Sequence, residues 1–214
     1  MAQPLDAIRV FHNAFRNDLG RIDAAALNAA QGKKGLDPTI ERFRFFNEVL
    51  VWHAQGEEAA IFPVLETVAP LVAEAYVKDH RGLDEAFEEL NRSYAARDPL
   101  KTARATAAFR FHMNIHLFKE DTHLYRIFRE RISLPEQGKA TGIMASKIPK
   151  ERFAELVGWL YPLIGPADRE DMTRIWQMVL PAPAFAGVKE LIRKSIGSDW
   201  AELVRRIPTL EGNV

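Results

Sequence analysis

Cysteine is absent from all 214 residues, which excludes disulfides, thiolate metal sites and thiol catalysis and leaves histidine, aspartate and glutamate as the strong metal ligands. Net charge is absent too. The 29 basic and 29 acidic residues cancel, and neither sign gathers in a long block, so nothing marks a nucleic-acid or anionic-membrane partner. No stretch approaches the roughly 18 uninterrupted apolar residues of a membrane span, and residues 1–10 lack the basic start and apolar run of a secretory signal. A cytoplasmic location without a membrane partner is therefore expected. Period-two alternation is missing as well, which leaves no convincing strand.

What is present is helical. Hydrophobic residues make up 47% of the chain and charged ones 27%, an ordinary soluble composition with enough apolar content for a sizeable core. Apolar positions recur at spacings of three and four. The first stripe, Ile8, Phe11, Phe15, Leu19 and Ile22, predicts a helix from about Leu5 to Ala29, ending before Gly32-Lys33-Lys34-Gly35. Asp37-Pro38 predicts an N-cap and first turn for a second helix through Phe43, Phe46, Leu50 and His53 toward Leu65. A third restarts after Pro70 and runs to Tyr94. Asp98-Pro99 starts a fourth, ending near Ile132. Four long helices with short connections predict an all-α, up-and-down four-helix bundle over residues 1–134.

From Ser133-Leu134-Pro135 onward the composition shifts to shorter helices punctuated by Pro149, Pro162, Pro166, Pro181, Pro183 and Pro208. Residues 135–214 form a short-helix C-terminal extension holding Trp159, Trp176 and Trp200, which need burial. This segment either packs on the bundle or forms a small subdomain.

The segment His53-Ala54-Gln55-Gly56-Glu57-Glu58 returns in altered form as His116-Leu117-Phe118-Lys119-Glu120-Asp121, and an aromatic residue, Phe62 or Tyr125, lies nine positions after each histidine. On a helix a carboxylate four residues after a histidine is about 40° round and one turn along, so both side chains reach one metal ion. His12 and His80 lie on the first and third helices, so each long helix carries a histidine. The 63 residues between His53 and His116 and the 68 between His12 and His80 suggest two related helical hairpins. Together they offer His12, His53, Glu57, His80, His116 and Glu120. Such a nitrogen and carboxylate set suits iron, manganese or zinc, and two carboxylates able to bridge favour two metal ions; iron is the expected metal.

His12, then His53-x-x-x-Glu57-Glu58 with Ile61-Phe62-Pro63, then His80, then His116-x-x-x-Glu120-Asp121 resembles the hemerythrin-like HHE cation-binding family over residues 5–132. The resemblance implies a non-heme di-iron centre, oxo- or hydroxo-bridged and spanned by Glu57 and Glu120, with open coordination for dioxygen or peroxide. Two departures separate the chain from oxygen-carrying hemerythrins. Those place a His-x-x-x-His pair on the third helix, where this chain has Asp84 four residues after His80 and Tyr76 four before. They also place an aspartate five residues after the fourth-helix histidine. Asp121 matches that spacing, whereas Glu120 matches the internal repeat and is preferred.

His112 and His123 approach the same helix face as His116, either as extra ligands or, more simply, as supporting and peripheral residues. Glu58 and Asp121 are candidates to orient imidazole N–H groups, or else are a solvated edge. Tyr76 and Tyr125 are candidate hydrogen-bond donors to a bound ligand, or else core tyrosines. The C-terminal aromatic and proline pattern is similar to helical tails that follow hemerythrin-like domains in some bacterial proteins and plant iron-responsive ubiquitin ligases. Such a tail covers the bundle or offers a surface to a protein partner or a second copy.

Three functions fit. The first is a di-iron protein that binds or senses dioxygen, iron or a related oxidant. The second is a di-iron enzyme acting on peroxide, nitric oxide or dioxygen. The third is a structural or interaction module with zinc or no metal.

Overall fold

A computed structural model describes residues 2–212, and every regular element among them is helical. The first element, α1, spans Asp6–Ala30, and α2 spans Asp37–Gly56. A single π-helical turn, Glu57–Ile61, joins α2 to α3, Phe62–Val68. After α4, Val72–Ala95, the pattern repeats: α5, Pro99–Lys119, a π turn at Glu120–Leu124, and α6, Tyr125–Arg131. The expected second and fourth helices are thus continuous rods, each interrupted once, at the carboxylate of its His-x-x-x-Glu segment.

The start signals work unequally. Asp98 caps α5, its carboxylate accepting from the Lys101 amide at 3.0 Å with Pro99 behind it. Asp37 does not cap α2. It is already the first helical residue, Leu36 holds the cap position without a side-chain bond, and the Asp37 carboxylate turns to Arg97 at 2.6 Å. A charged partner in the α4–α5 turn has won over the local amide.

The chain divides into two compact units, residues 15–147 and residues 1–14 with 148–214. In the first, buried residues follow the helical period: Phe43, Phe46, Val49 and His53 on α2, then Phe109, Met113 and His116 on α5. A layer of phenylalanines fills this interior. Phe46 meets Phe15 at 5.5 Å and Phe109 at 6.4 Å edge-on and stacks on Phe43 at 5.8 Å. Helix α7, Leu134–Ala145, also belongs to this unit and opens on a Ser133–Glu136 capping box. It lies close over the first π turn. A β-carbon on Gly56 would stand 3.0 Å from Met144 Cα, so glycine allows this approach.

The second unit contains α8, Phe153–Leu160, α9, Pro166–Val179, α10, Ala182–Ile196, and α11, Trp200–Arg206. Its core gathers Val10, Val157, Leu160, Tyr161, Met172, Phe185 and Ile192, with Trp159, Trp176 and Trp200 packed against it. Arg9 forks to Asp168 and Asp171, both at 2.7 Å. Helix α1 serves both units, its first turns in one and the remainder in the other. No helix among the described residues is long and apolar enough to cross a membrane.

Candidate metal centre

Four of the six expected ligands sit on the buried stripes of α2, α4 and α5 or at the π turn that follows α2, and Glu120 opens the second π turn. His53 Nε2 lies 3.3 Å from Glu57 Oε1, and His116 Nε2 lies 3.1 Å from Glu120 Oε1. These are the two i,i+4 pairs read from the sequence. His80 ties them together, its Nε2 standing 3.5 Å from Glu57 Oε2 and 3.8 Å from Glu120 Oε1. Glu57 and Glu120 are completely buried. His12 is completely buried on α1, one turn before Phe15, whose ring meets His53 at 5.3 Å.

Within residues 15–147, potential ligand atoms fall into two groups, each within 4.8 Å: His53, Glu57 and Glu120, and His80, His116 and Glu120. Glu120 is common to both. Asp121, its competitor, is partly exposed and forms an ion pair with Arg16 at 2.5 Å. The spacing taken from oxygen-carrying hemerythrins is not the one this fold brings inward.

The surrounding residues sort themselves similarly. Glu58, itself half exposed, accepts from His80 Nδ1 at 2.9 Å and so turns Nε2 toward the carboxylates. His112, His123 and Asp84 are exposed and outside both groups. The Tyr76 hydroxyl donates to the Lys119 carbonyl at 2.9 Å, beside His123 Nδ1 at 3.3 Å. Tyr125, by contrast, donates its phenol proton to Glu57 Oε1 inside the cluster.

The electrostatics are those of a site built for positive charge. Burial pushes the Glu57 carboxyl up, but His53 and His80 override it and hold its pKa well below the ordinary carboxylate value. Burial and the neighbouring Glu57 push Glu120 up, and the His116 and His80 imidazoles bring it below the ordinary value. At His80 burial favours the neutral ring, yet Glu120, Glu57 and Glu58 raise its pKa to about 11. Two buried anions and the protons they retain are thus the electrostatic counterpart of a bound cation.

A pH dependence follows for the chelator-treated protein. His80 is raised on folding, so its contribution is complete below about pH 6.5 and is lost as pH climbs toward about 11. Glu57 and Glu120 are lowered, so theirs is present above about pH 4.5 and lost as pH falls through their folded values. Thermal melts should therefore show greatest stability between about pH 4.5 and 6.5, with a decline by pH 9 that His80→Gln flattens. An equal decline in that variant would assign the effect elsewhere.

The donor set also fits a metal by what it leaves unsatisfied. Glu57 Oε2 and His116 Nδ1 are buried without a hydrogen-bond partner. His80 Nε2 faces that Glu57 oxygen from 3.5 Å without closing a hydrogen bond, and a cation between the two would satisfy both. Four imidazoles and two carboxylates, with no sulfur, are ligands for iron, manganese or zinc.

Comparison with known proteins agrees with this chemistry. The family model described as the hemerythrin HHE cation binding domain matches residues 3–128. Among curated proteins, the chain is 25% identical over 185 residues to zinc finger protein BRUTUS of Arabidopsis thaliana, covering 83% of this chain and 15% of that protein. It is 23% identical over 202 residues to the BRUTUS-like protein At1g18910 of the same plant, covering 86% and 16%. The chain thus spans only about a sixth of the length of these relatives. No solved structure gives a significant match. The chain is an all-α, cation-binding protein and belongs to the hemerythrin HHE cation-binding domain family.

Proposed function

We propose that the chain holds two iron ions at this cluster and uses them to bind or sense dioxygen, iron itself or a related oxidant. The observation that carries the reading is the sharing of Glu120 between two ligand groups, with Glu57 reaching toward His53 through one oxygen and His80 through the other. One metal position would draw on His12 and His53, the other on His80 and His116. Glu57 and Glu120 would lie between them. Bound iron would supply one-electron redox chemistry and open coordination for a small ligand.

The protein's own residues supply the rest. Glu58 orients His80, and Phe15 closes the His53 side with a hydrocarbon edge. Phe62, 5.2 Å from His80, does the same on the other half. The absence of a second histidine one turn from His80 on α4, with Asp84 exposed, favours sensing or iron binding over reversible oxygen carriage. The zinc finger in the relatives' names describes those proteins; this chain has no cysteine with which to build such a module.

Anaerobic loading of the chelated protein with ferrous iron should give two irons per chain by metal analysis. Admission of air should then produce the near-ultraviolet absorption of an oxidised di-iron centre. Uptake of one iron, or retention of two after both His53→Ala and His116→Ala, would defeat the assignment. Tight binding of zinc with no optical or redox response would favour the structural alternative.

A further inference from the structure

The two halves of the centre repeat one another in sequence, but not completely. His53 corresponds to His116, Glu57 to Glu120, Glu58 to Asp121 and the first π turn to the second. The aromatic after each π turn differs by one hydroxyl, Phe62 in one half and Tyr125 in the other. That hydroxyl is not idle. Tyr125 is buried and donates across the bundle to Glu57 Oε1, the same oxygen that faces His53 Nε2 at 3.3 Å. Glu57 Oε2, facing His80, has no hydrogen bond. Phe62 has no group with which to do the same for Glu120.

The π turns explain how the phenol reaches the site. Nine residues along an uninterrupted α-helix rotate a side chain by about 900°, half a turn away from the starting histidine. A π turn absorbs one residue, so the effective rotation is about 800°, roughly 80° from the histidine and 40° from the glutamate. Without the π turn Tyr125 would face away from the centre.

We propose that Tyr125 is a positioning residue for one of the two metal positions: its phenol fixes the Glu57 oxygen on the His53 side and so separates the affinities of the two ions. The proposal rests on the two-metal reading above. Hydrogen bonds to ligating carboxylates fix their orientation, and their removal typically weakens metal binding about 10- to 100-fold. Here the effect falls on one position, because the oxygen toward His80 is not the one Tyr125 holds.

The test is a titration of the chelated 214-residue chain with cobalt(II), which reports each site through its visible d–d spectrum. The wild-type chain is expected to take two equivalents in resolved steps. In Tyr125→Phe one step should weaken about 10- to 100-fold with an altered d–d spectrum, while the other stays in place. Equal weakening of both steps, or no change in either, overturns the proposal. Circular dichroism of the metal-free variant separates this loss from misfolding. Should Tyr125→Phe fail to fold, Phe62→Tyr carries the test by adding the missing hydroxyl to the other half; it should alter the second step, and an unchanged titration counts against the proposal. A wild-type chain that takes fewer than two cobalt ions defeats the two-metal reading before any variant is compared.

Discussion

On the proposed two-metal reading, Glu120→Ala should abolish binding of both ions, whereas Asp121→Ala should leave both in place. Glu120 is completely buried and belongs to both ligand groups, 3.1 Å from His116 and 3.8 Å from His80. Asp121 is partly exposed and bound to Arg16. Loss of a group that merely orients a ligand costs about 10- to 100-fold in metal affinity, so loss of a shared ligand should exceed about a hundredfold at each position. His53→Ala, which touches only one group, should spare the other ion. Isothermal titration of the chelated variants with cobalt(II) decides the matter. Retention of tight binding in Glu120→Ala, or its loss in Asp121→Ala, would reverse the choice of carboxylate.

The largest effect on stability is expected at Phe46. Its ring is completely buried and lies against Phe15, Phe43 and Phe109. Truncation to alanine removes the ring's transfer free energy and leaves a cavity that rigid helices fill only in part, a cost of about 3–5 kcal/mol. For a chain of this size that corresponds to a fall in melting temperature of roughly 6–20 °C. Phe111→Ala is the control. Phe111 is 62% exposed on α5, and its truncation should change stability by no more than about 0.5 kcal/mol. A comparable loss in the two variants would mean that the phenylalanine layer is not the mechanical base of the bundle. Because Phe15 touches both Phe46 and His53, loosening this layer should also weaken metal binding on the His53 side.

The start of α5 was legible because Asp98 accepts from an amide within one turn and Pro99 has no amide of its own to leave unbonded, so local chemistry suffices there. The start of α2 at Asp37-Pro38 was legible too, but its cap was not, since the Asp37 carboxylate is drawn to Arg97, 60 residues away in sequence. Likewise, nothing in Leu134–Ala145 announces that it covers the first π turn. That depends on Gly56 admitting the Met144 backbone, a contact between segments distant in the chain.

At the centre, the sequence by itself determined the candidate side chains, the helices that carry them and the two His-x-x-x-Glu pairs, because a four-residue spacing within one helix is a local geometric fact. The tertiary structure decided which neighbouring groups join them. It turned Glu120 inward and Asp121 toward Arg16, aimed Glu58 at His80 and left His112, His123 and Asp84 outside. It also placed a π turn at each glutamate. The two turns, Glu-Glu-Ala-Ala-Ile and Glu-Asp-Thr-His-Leu, share little beyond an acidic start, so no local propensity announces them. Each shifts every later side chain by one residue, about 100° round the helix, which is why a tyrosine nine positions from its histidine hydrogen-bonds to the opposing glutamate.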